Sequence, residues 1–214
     1  MSLGMLYLNG EAILVYRGFR WAEKYRTKMV HLSLQAGAFL IALFGLKAAW
    51  DSHVLNKNPT TGQLDPIPNF YSLHSWIGIS TLSLFFFQFL FGFVVFFCPG
   101  APLAVRKKAM PLHRSIGMII FVLSLGSALL GISERAAWKM TCWTKDHEMC
   151  SEMLITNFFG IILVCYACGV IILVSYSPWQ RLPLPSEEMH VSQNDDDYGS
   201  DTAPFINNRR HDDD

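Results

Sequence analysis

Charged residues are scarce in this chain. They make up 16% of its 214 residues, whereas 51% are apolar and 14% aromatic. With a mean hydropathy of +0.28, this composition argues against a soluble domain and favours a small integral membrane protein. The five cysteines lack the spacing of a metal-ligand array. The amino-terminal stretch lacks a basic region followed by a small-residue cleavage site, so we expect no cleavable signal sequence.

Basic residues form two short clusters, at residues 17–28 and 106–114, each beside an apolar run. Such clusters are typical of membrane-helix flanks, and we expect no nucleic-acid partner. The first segment, Met1–Tyr16, is apolar but short for a helix that must cross a hydrocarbon core. The predicted fold class is all-α, an integral membrane helix bundle of about five helices in the lipid bilayer, with the first one shortened. The four full-length stretches are Val30–Trp50, Ser72–Cys98, Leu112–Ile132 and Met153–Tyr176.

Positive charges in the short loops predict the topology. Lys and Arg are concentrated after the first helix and before the fourth, which places both loops in the cytosol and residues 51–70 and 133–152 on the lumenal or exterior side.

The apolar stretches together predict a membrane domain over residues 1–177. Residues 178–214, with their prolines and aspartate runs, predict a disordered cytosolic tail. Cys142 and Cys150 share a lumenal loop and are candidates for a disulfide.

Four histidines stand near helix ends, where ionisable groups mark functional positions. His31 and His113 begin their helices on the cytosolic side, whereas His53 and His74 lie on the opposite side. Two imidazoles at matching depth on different helices are able to ligate a haem iron. A glycine follows both His74 and His113 by four residues and shares the helix face of its histidine. Hydrogen-bonded structural histidines at glycine packing contacts remain an equal alternative on spacing alone.

The chain resembles the cytochrome b561 family of transmembrane, ascorbate-dependent dihaem proteins. The resemblance runs from Met1 to about Pro183, and the Tyr-Ser-Leu-His-Ser-Trp string is its most specific part. The segments that carry it are Leu14–Arg17 (LVYR), Arg26–His31 (RTKMVH), Tyr71–Trp76 (YSLHSW), Met110–His113 (MPLH) and Ala128–Glu134 (ALLGISE).

The resemblance implies a six-helix fold that holds two haems b, one near each membrane face, each ligated by one histidine from each of two helices. His31 and His113 match the cytosolic pair, and His74 matches one ligand of the lumenal haem. The family places the other lumenal ligand in an Asn-x-His-Pro stretch that falls before Met1. We therefore expect an amino-terminally shortened chain with one intact bis-histidine site and a second site that lacks a ligand.

The resemblance also implies an activity, with cytosolic ascorbate as the electron donor and monodehydroascorbate or ferric iron as the acceptor. By this match Lys28, Arg106 and His53 act in the reaction. Lys24, Lys28 and Arg106 match donor-site positions, Arg17 is a candidate contact for a haem propionate, and His53 and Tyr71 are candidates for the acceptor site. Simpler interpretations stay open: membrane-flanking cations would occupy the same places, and a loop histidine often caps a helix end.

We therefore predict an ascorbate-dependent transmembrane oxidoreductase of the ferric-reductase type that transfers electrons through haem b. The alternative is a shortened, non-catalytic membrane protein with at most one intact haem site, which acts only as a partner or is an inactive product. A homodimer is one candidate assembly, and the sequence leaves the oligomeric state open. The resemblance leaves the endosomal-lysosomal, secretory-vesicle and plasma membranes open as locations.

Overall fold

The protein is a bundle of long α-helices. The computed structural model describes residues 2–142, 145, 147–182 and 184, and no strand occurs among them, which confirms the predicted all-α class. A π-helical segment, Leu3–Leu8, leads directly into the first helix, and a 3₁₀ turn, Ser177–Trp179, follows the last. The helices are α1 (Asn9–Gly18), α2 (Lys24–Val54), α3 (Leu73–Phe96), α4 (Leu103–Lys139) and α5 (Ser151–Ser175).

Four of these helices, α2 to α5, are long and apolar enough to cross a membrane. Each corresponds to one of the four predicted stretches, whose ends exceed the helix by at most two residues, and the short α1 belongs to the predicted shortened first helix. Large apolar side chains face outward on several of them: Phe44 is 73% exposed, Phe87 66% and Ile155 68%. An apolar exterior of this kind suits contact with lipid rather than with water. The prediction of an integral, multi-pass membrane protein is thereby supported.

Helix α4 is longer than the sequence indicated. We predicted that the fourth membrane helix begins at Leu112, but α4 begins at Leu103, after the capping residue Pro102, and it contains Pro111. Arg106, which we placed in a loop, therefore lies in the first turn of a helix, and its side chain has a fixed direction relative to His113. At the other end α4 continues to Lys139 and includes the first residues of the stretch predicted as a lumenal loop.

Small residues and a few polar pairs hold the helices together. Ala38 and Ala42 of α2 are fully buried against the π-helical segment and α3, as is usual where membrane helices approach closely. The Gln35 side chain of α2 donates to Asn9 Oδ1 of α1 at 3.0 Å. On the other side of α1, the Tyr166 hydroxyl donates to Glu11 Oε1 at 3.2 Å.

The predicted lumenal side contains two structured connections. The Cys142–Cys150 disulfide, which we predicted, closes the connection between α4 and α5. The connection between α2 and α3 folds back onto α2, since the Ile67 amide donates to the carbonyl of His53 at 3.0 Å. The Ser72 side chain then caps α3 by accepting from the Ser75 amide. The predicted tail begins in the described part, but residues 185–214 lie outside the described residues.

Candidate functional site

His31 on α2 and His113 on α4 come together at the predicted cytosolic end of the bundle. Their ring centroids are 6.3 Å apart, with an angle of 68° between the ring planes. A metal ion bonded at about 2 Å to a nitrogen of each of two opposed imidazoles holds their centroids roughly 6 Å apart. The spacing of this pair therefore fits two axial ligands of one iron. The bundle has brought together two side chains 82 positions apart in the sequence, one from each of two helices.

Each imidazole of this pair is held through its Nδ1 atom. His31 Nδ1 donates to the carbonyl of Ala12 on α1 at 2.7 Å, which leaves Nε2 with a free lone pair, as a ligand requires. His113 Nδ1 lies 2.9 Å from the side-chain amide nitrogen of Gln88 on α3. Gly92 gives the His113 ring its space, since a Cβ there would lie 3.1 Å from Cε1 of that ring.

Aromatic rings enclose the same pair. The Tyr16 ring lies 5.7 Å from His31, and the Phe96 ring lies 5.2 Å from His113 (centroid distances). Both histidines are partly buried. A partly buried pair of imidazoles within aromatic walls is suited to a flat, largely apolar ligand.

His74 on α3 lies in a second, separate place. It lines a cavity of about 410 Å³ between the π-helical segment, α3 and α4, and it is the only histidine among the lining residues that the structure describes. Its Nδ1 donates to the carbonyl of Ser127 at 2.8 Å. Gly131 packs against the face of the ring, because a Cβ there would lie 2.8 Å from His74 Cε1. The anchoring matches that of His31, but no second imidazole faces His74 from the described lining.

Three cations gather beside the His31–His113 pair. The Lys28 amine donates to the carbonyl of Phe96, the last residue of α3, at 3.1 Å. Lys28 is close enough to Arg106 and Lys24 for their charges to repel one another. The Arg106 Nε atom is buried and without a hydrogen-bond partner among the described residues. A group of like charges of which two, Lys28 and Arg106, are partly buried favours the binding of an anion.

Arg17 bonds to main-chain carbonyls at the end of α5. One guanidinium nitrogen donates to the carbonyl of Tyr176 at 3.1 Å, and another donates to the carbonyl of Val174. These bonds fasten the end of α1 to the end of α5. Arg114 is near enough to repel the Arg17 charge. A propionate contact for Arg17 stays a prediction, and the structure adds a second role in holding the two helix ends.

The two predicted acceptor residues meet at the opposite end of the bundle. His53 and Tyr71 line one cavity of about 180 Å³, together with Glu134 and Trp138 of α4. His53 Nδ1 lies 3.0 Å from the side-chain oxygen of Asn69, so it donates there and leaves Nε2 as an acceptor.

Sequence reasoning missed three polar residues at these sites: Gln88, Asn69 and Glu134. Gln88 is a polar residue within the long uncharged run of α3. Glu134 is an acid near the lumenal end of an apolar helix. Both are rare at such positions and mark functional ones when they occur. The presence of a polar residue within an apolar helix could therefore have identified Gln88 and Glu134 from the sequence. Nothing in the sequence distinguishes Asn69 from other loop residues.

Fold and site together define a class of protein: a membrane-spanning helix bundle with paired imidazoles, suited to a haem between its helices. Residues 1–139 match the family model described as eukaryotic cytochrome b561. A putative transmembrane ascorbate-dependent reductase CYB561 homolog of Caenorhabditis elegans is 44% identical over 188 residues, which cover 88% of this chain and 70% of that protein. The chain belongs to the eukaryotic cytochrome b561 family, and this membership implies haem b.

Other relatives support the same assignment. The transmembrane ascorbate-dependent reductase CYB561 of Mus musculus is 39% identical over 192 residues, covering 90% of this chain and 72% of that protein. A probable ascorbate-specific transmembrane electron transporter 2 of Oryza sativa subsp. japonica is 35% identical over 172 residues, covering 80% and 68%. The resemblance derived from the sequence segments is thus confirmed.

Proposed function

We propose that this protein is an ascorbate-dependent transmembrane reductase, in which His31 and His113 hold one haem b and electrons pass from cytosolic ascorbate to an acceptor on the opposite side. The observation that carries the proposal is the pair of imidazoles with centroids 6.3 Å apart beside a group of cations. Haem b, when bound, supplies the one-electron redox chemistry. The relatives whose names specify ascorbate support the choice of donor.

The chain's own residues bind the donor and move protons. Ascorbate is an anion near neutral pH, so Lys28 and Arg106 attract and orient it, while the more exposed Lys24 contributes long-range attraction. At the opposite end, the His53 imidazole, oriented by Asn69, relays a proton between its surroundings and an acceptor that gains an electron. Tyr71 and Glu134 line the same cavity and bind that acceptor, either monodehydroascorbate or ferric iron.

Haem content and reducibility test this proposal. We expect the purified chain to bind one haem b through the His31–His113 pair and to show a reduced-minus-oxidised spectrum on addition of ascorbate. In sealed vesicles loaded with ascorbate, external monodehydroascorbate and ferric chelates compared side by side identify the acceptor. A chain that binds no haem would contradict the proposal.

Two further outcomes decide between the remaining alternatives. Two haems per chain would mean that the cavity at His74 also holds one, with a second ligand other than a histidine of the described lining. One haem that ascorbate reduces, without onward transfer to any external acceptor, would favour the non-catalytic alternative. The number of haems per chain follows from pyridine haemochrome and protein assays on one sample.

Replacement of Asn69 tests the role of His53. Asn69→Ala removes the oxygen that accepts from His53 Nδ1, so the imidazole loses its fixed tautomer and orientation. We expect the rate of acceptor reduction to fall about 10-fold, in line with losses of groups that orient a functional histidine, while reduction of the haem by ascorbate stays unchanged. Asn58→Ala is the matched control, because Asn58 hydrogen-bonds within the same connection but does not line the cavity. Equal losses in both variants would show a general effect of the loop.

A further inference from the structure

Gln88 is a buried polar side chain in the middle of an apolar helix. It is 9% exposed and lies in α3, which contains no charged residue between Leu73 and Phe96. Burial of an amide in apolar surroundings is unfavourable unless its hydrogen bonds are made. The bonds of Gln88 go to a single residue, His113 on the neighbouring helix.

The contacts of Gln88 differ in kind from those that hold the other two candidate ligands. His31 and His74 each donate from Nδ1 to a main-chain carbonyl, of Ala12 and Ser127 respectively. A carbonyl only accepts, so those two imidazoles have one possible tautomer. His113 instead faces a side-chain amide, whose nitrogen lies 2.9 Å from Nδ1 and 2.6 Å from the main-chain oxygen of the same residue. An amide offers either a donor or an acceptor, depending on its rotation.

We propose that Gln88 is the positioning residue of His113 and sets the reduction potential of the haem that this histidine ligates. The inference rests on the proposed function, since it requires iron at the His31–His113 pair. With the amide nitrogen toward the ring, Nδ1 accepts and the proton of a neutral imidazole sits on Nε2, where it blocks ligation. The same nitrogen also donates to the main-chain oxygen of His113. Ligation of iron at Nε2 therefore requires the amide to give up that bond and turn its oxygen toward Nδ1, which then donates.

When its amide oxygen faces Nδ1 of His113, Gln88 affects the reduction potential of the haem. An acceptor at Nδ1 increases the basicity of a ligating imidazole, and a more basic axial ligand favours the ferric state and lowers the potential. A carboxylate accepts more strongly than an amide, and an alkyl group does not accept at all. The potential should therefore fall in Gln88→Glu and rise in Gln88→Leu. The reduction potential should thus be lowest in Gln88→Glu, intermediate in the original protein and highest in Gln88→Leu. A residue that only fills space would not produce this order.

Potentiometric titration of the full chain in nanodiscs, followed at the haem absorption bands, tests the proposal. We expect each substitution to change the equilibrium constant for one-electron reduction about tenfold, in opposite directions, which corresponds to about 59 mV for one electron. The electron paramagnetic resonance g-values of the ferric haem should shift as well. Phe87→Leu is the control, because Phe87 is the adjacent residue but is 66% exposed, and it should leave both readouts unchanged.

The outcomes separate this proposal from the proposed function. If His113→Ala retains haem with an unchanged spectrum, the proposed ligand pair fails and the inference fails with it. If His113→Ala loses haem but both Gln88 variants keep the potential of the original protein, only the inference is overturned. If Gln88→Leu loses haem and Gln88→Glu retains it at a lower potential, the acceptor role is supported. Loss of haem from both variants would indicate a purely structural residue and overturn the proposal.

Discussion

His31→Ala or His113→Ala removes haem from the protein. Each substitution takes away one of the two imidazoles whose centroids lie 6.3 Å apart. Loss of a residue that hydrogen-bonds to a metal ligand weakens metal binding roughly 10–100-fold. Loss of a ligand itself is therefore expected to weaken haem binding by more than about 100-fold. The measurement is the ratio of haem absorbance to protein after purification, compared with the unchanged chain.

His53→Ala is the matched control for this experiment. His53 lies on α2, the helix that also carries His31, but its imidazole bonds to Asn69 near the far end of the bundle. The substitution removes a histidine from the same helix and should leave haem content and spectrum unchanged while slowing transfer to the acceptor. If His53→Ala lost haem to the same extent as His31→Ala, haem binding would not depend on the proposed pair in particular.

The sequence predicts the helices well because the bilayer imposes one strong requirement. Within hydrocarbon, only helices and closed barrels satisfy all their backbone hydrogen bonds, and each of the four long apolar stretches found in the sequence corresponds to a separate helix. The same criterion misplaces the start of α4. Hydropathy detects the apolar part of a helix, whereas α4 begins with a basic turn around Arg106 that is not apolar.

The site was predictable only in part, for a different reason. The depth of His31 and His113 along their helices follows from counting residues, and depth alone suggested that they pair. Their Nδ1 partners depend on how each helix is rotated about its axis, which the sequence does not specify. The carbonyl of Ala12 and the amide of Gln88 were therefore out of reach. Every residue has a main-chain carbonyl, so the identity of a residue does not show that its carbonyl accepts a hydrogen bond from a histidine.

Loss of Lys28 and Arg106 should prevent reduction by ascorbate without removing haem. A hydrogen bond to a charged group contributes roughly 1.5–3 kcal/mol, so Lys28→Ala is expected to raise the KM for ascorbate about tenfold, and the double variant Lys28→Ala/Arg106→Ala about 100-fold. Dithionite, which needs no donor site, should reduce the haem of both variants fully. The measurement is the initial rate of haem reduction as a function of ascorbate concentration.

Lys107→Ala/Lys108→Ala is the matched control, since it removes two charges from the same turn of α4. Both side chains are exposed, whereas Lys28 is partly buried, bonded to the end of α3 and close to the Arg106 charge. If the cations act only through the overall potential of this membrane face, both double variants should raise the KM equally, and added salt should remove the difference from the original protein. A bound ascorbate instead predicts that only the Lys28/Arg106 variant loses affinity, and that much of this loss persists at high ionic strength, because partly buried charges are screened less than exposed ones.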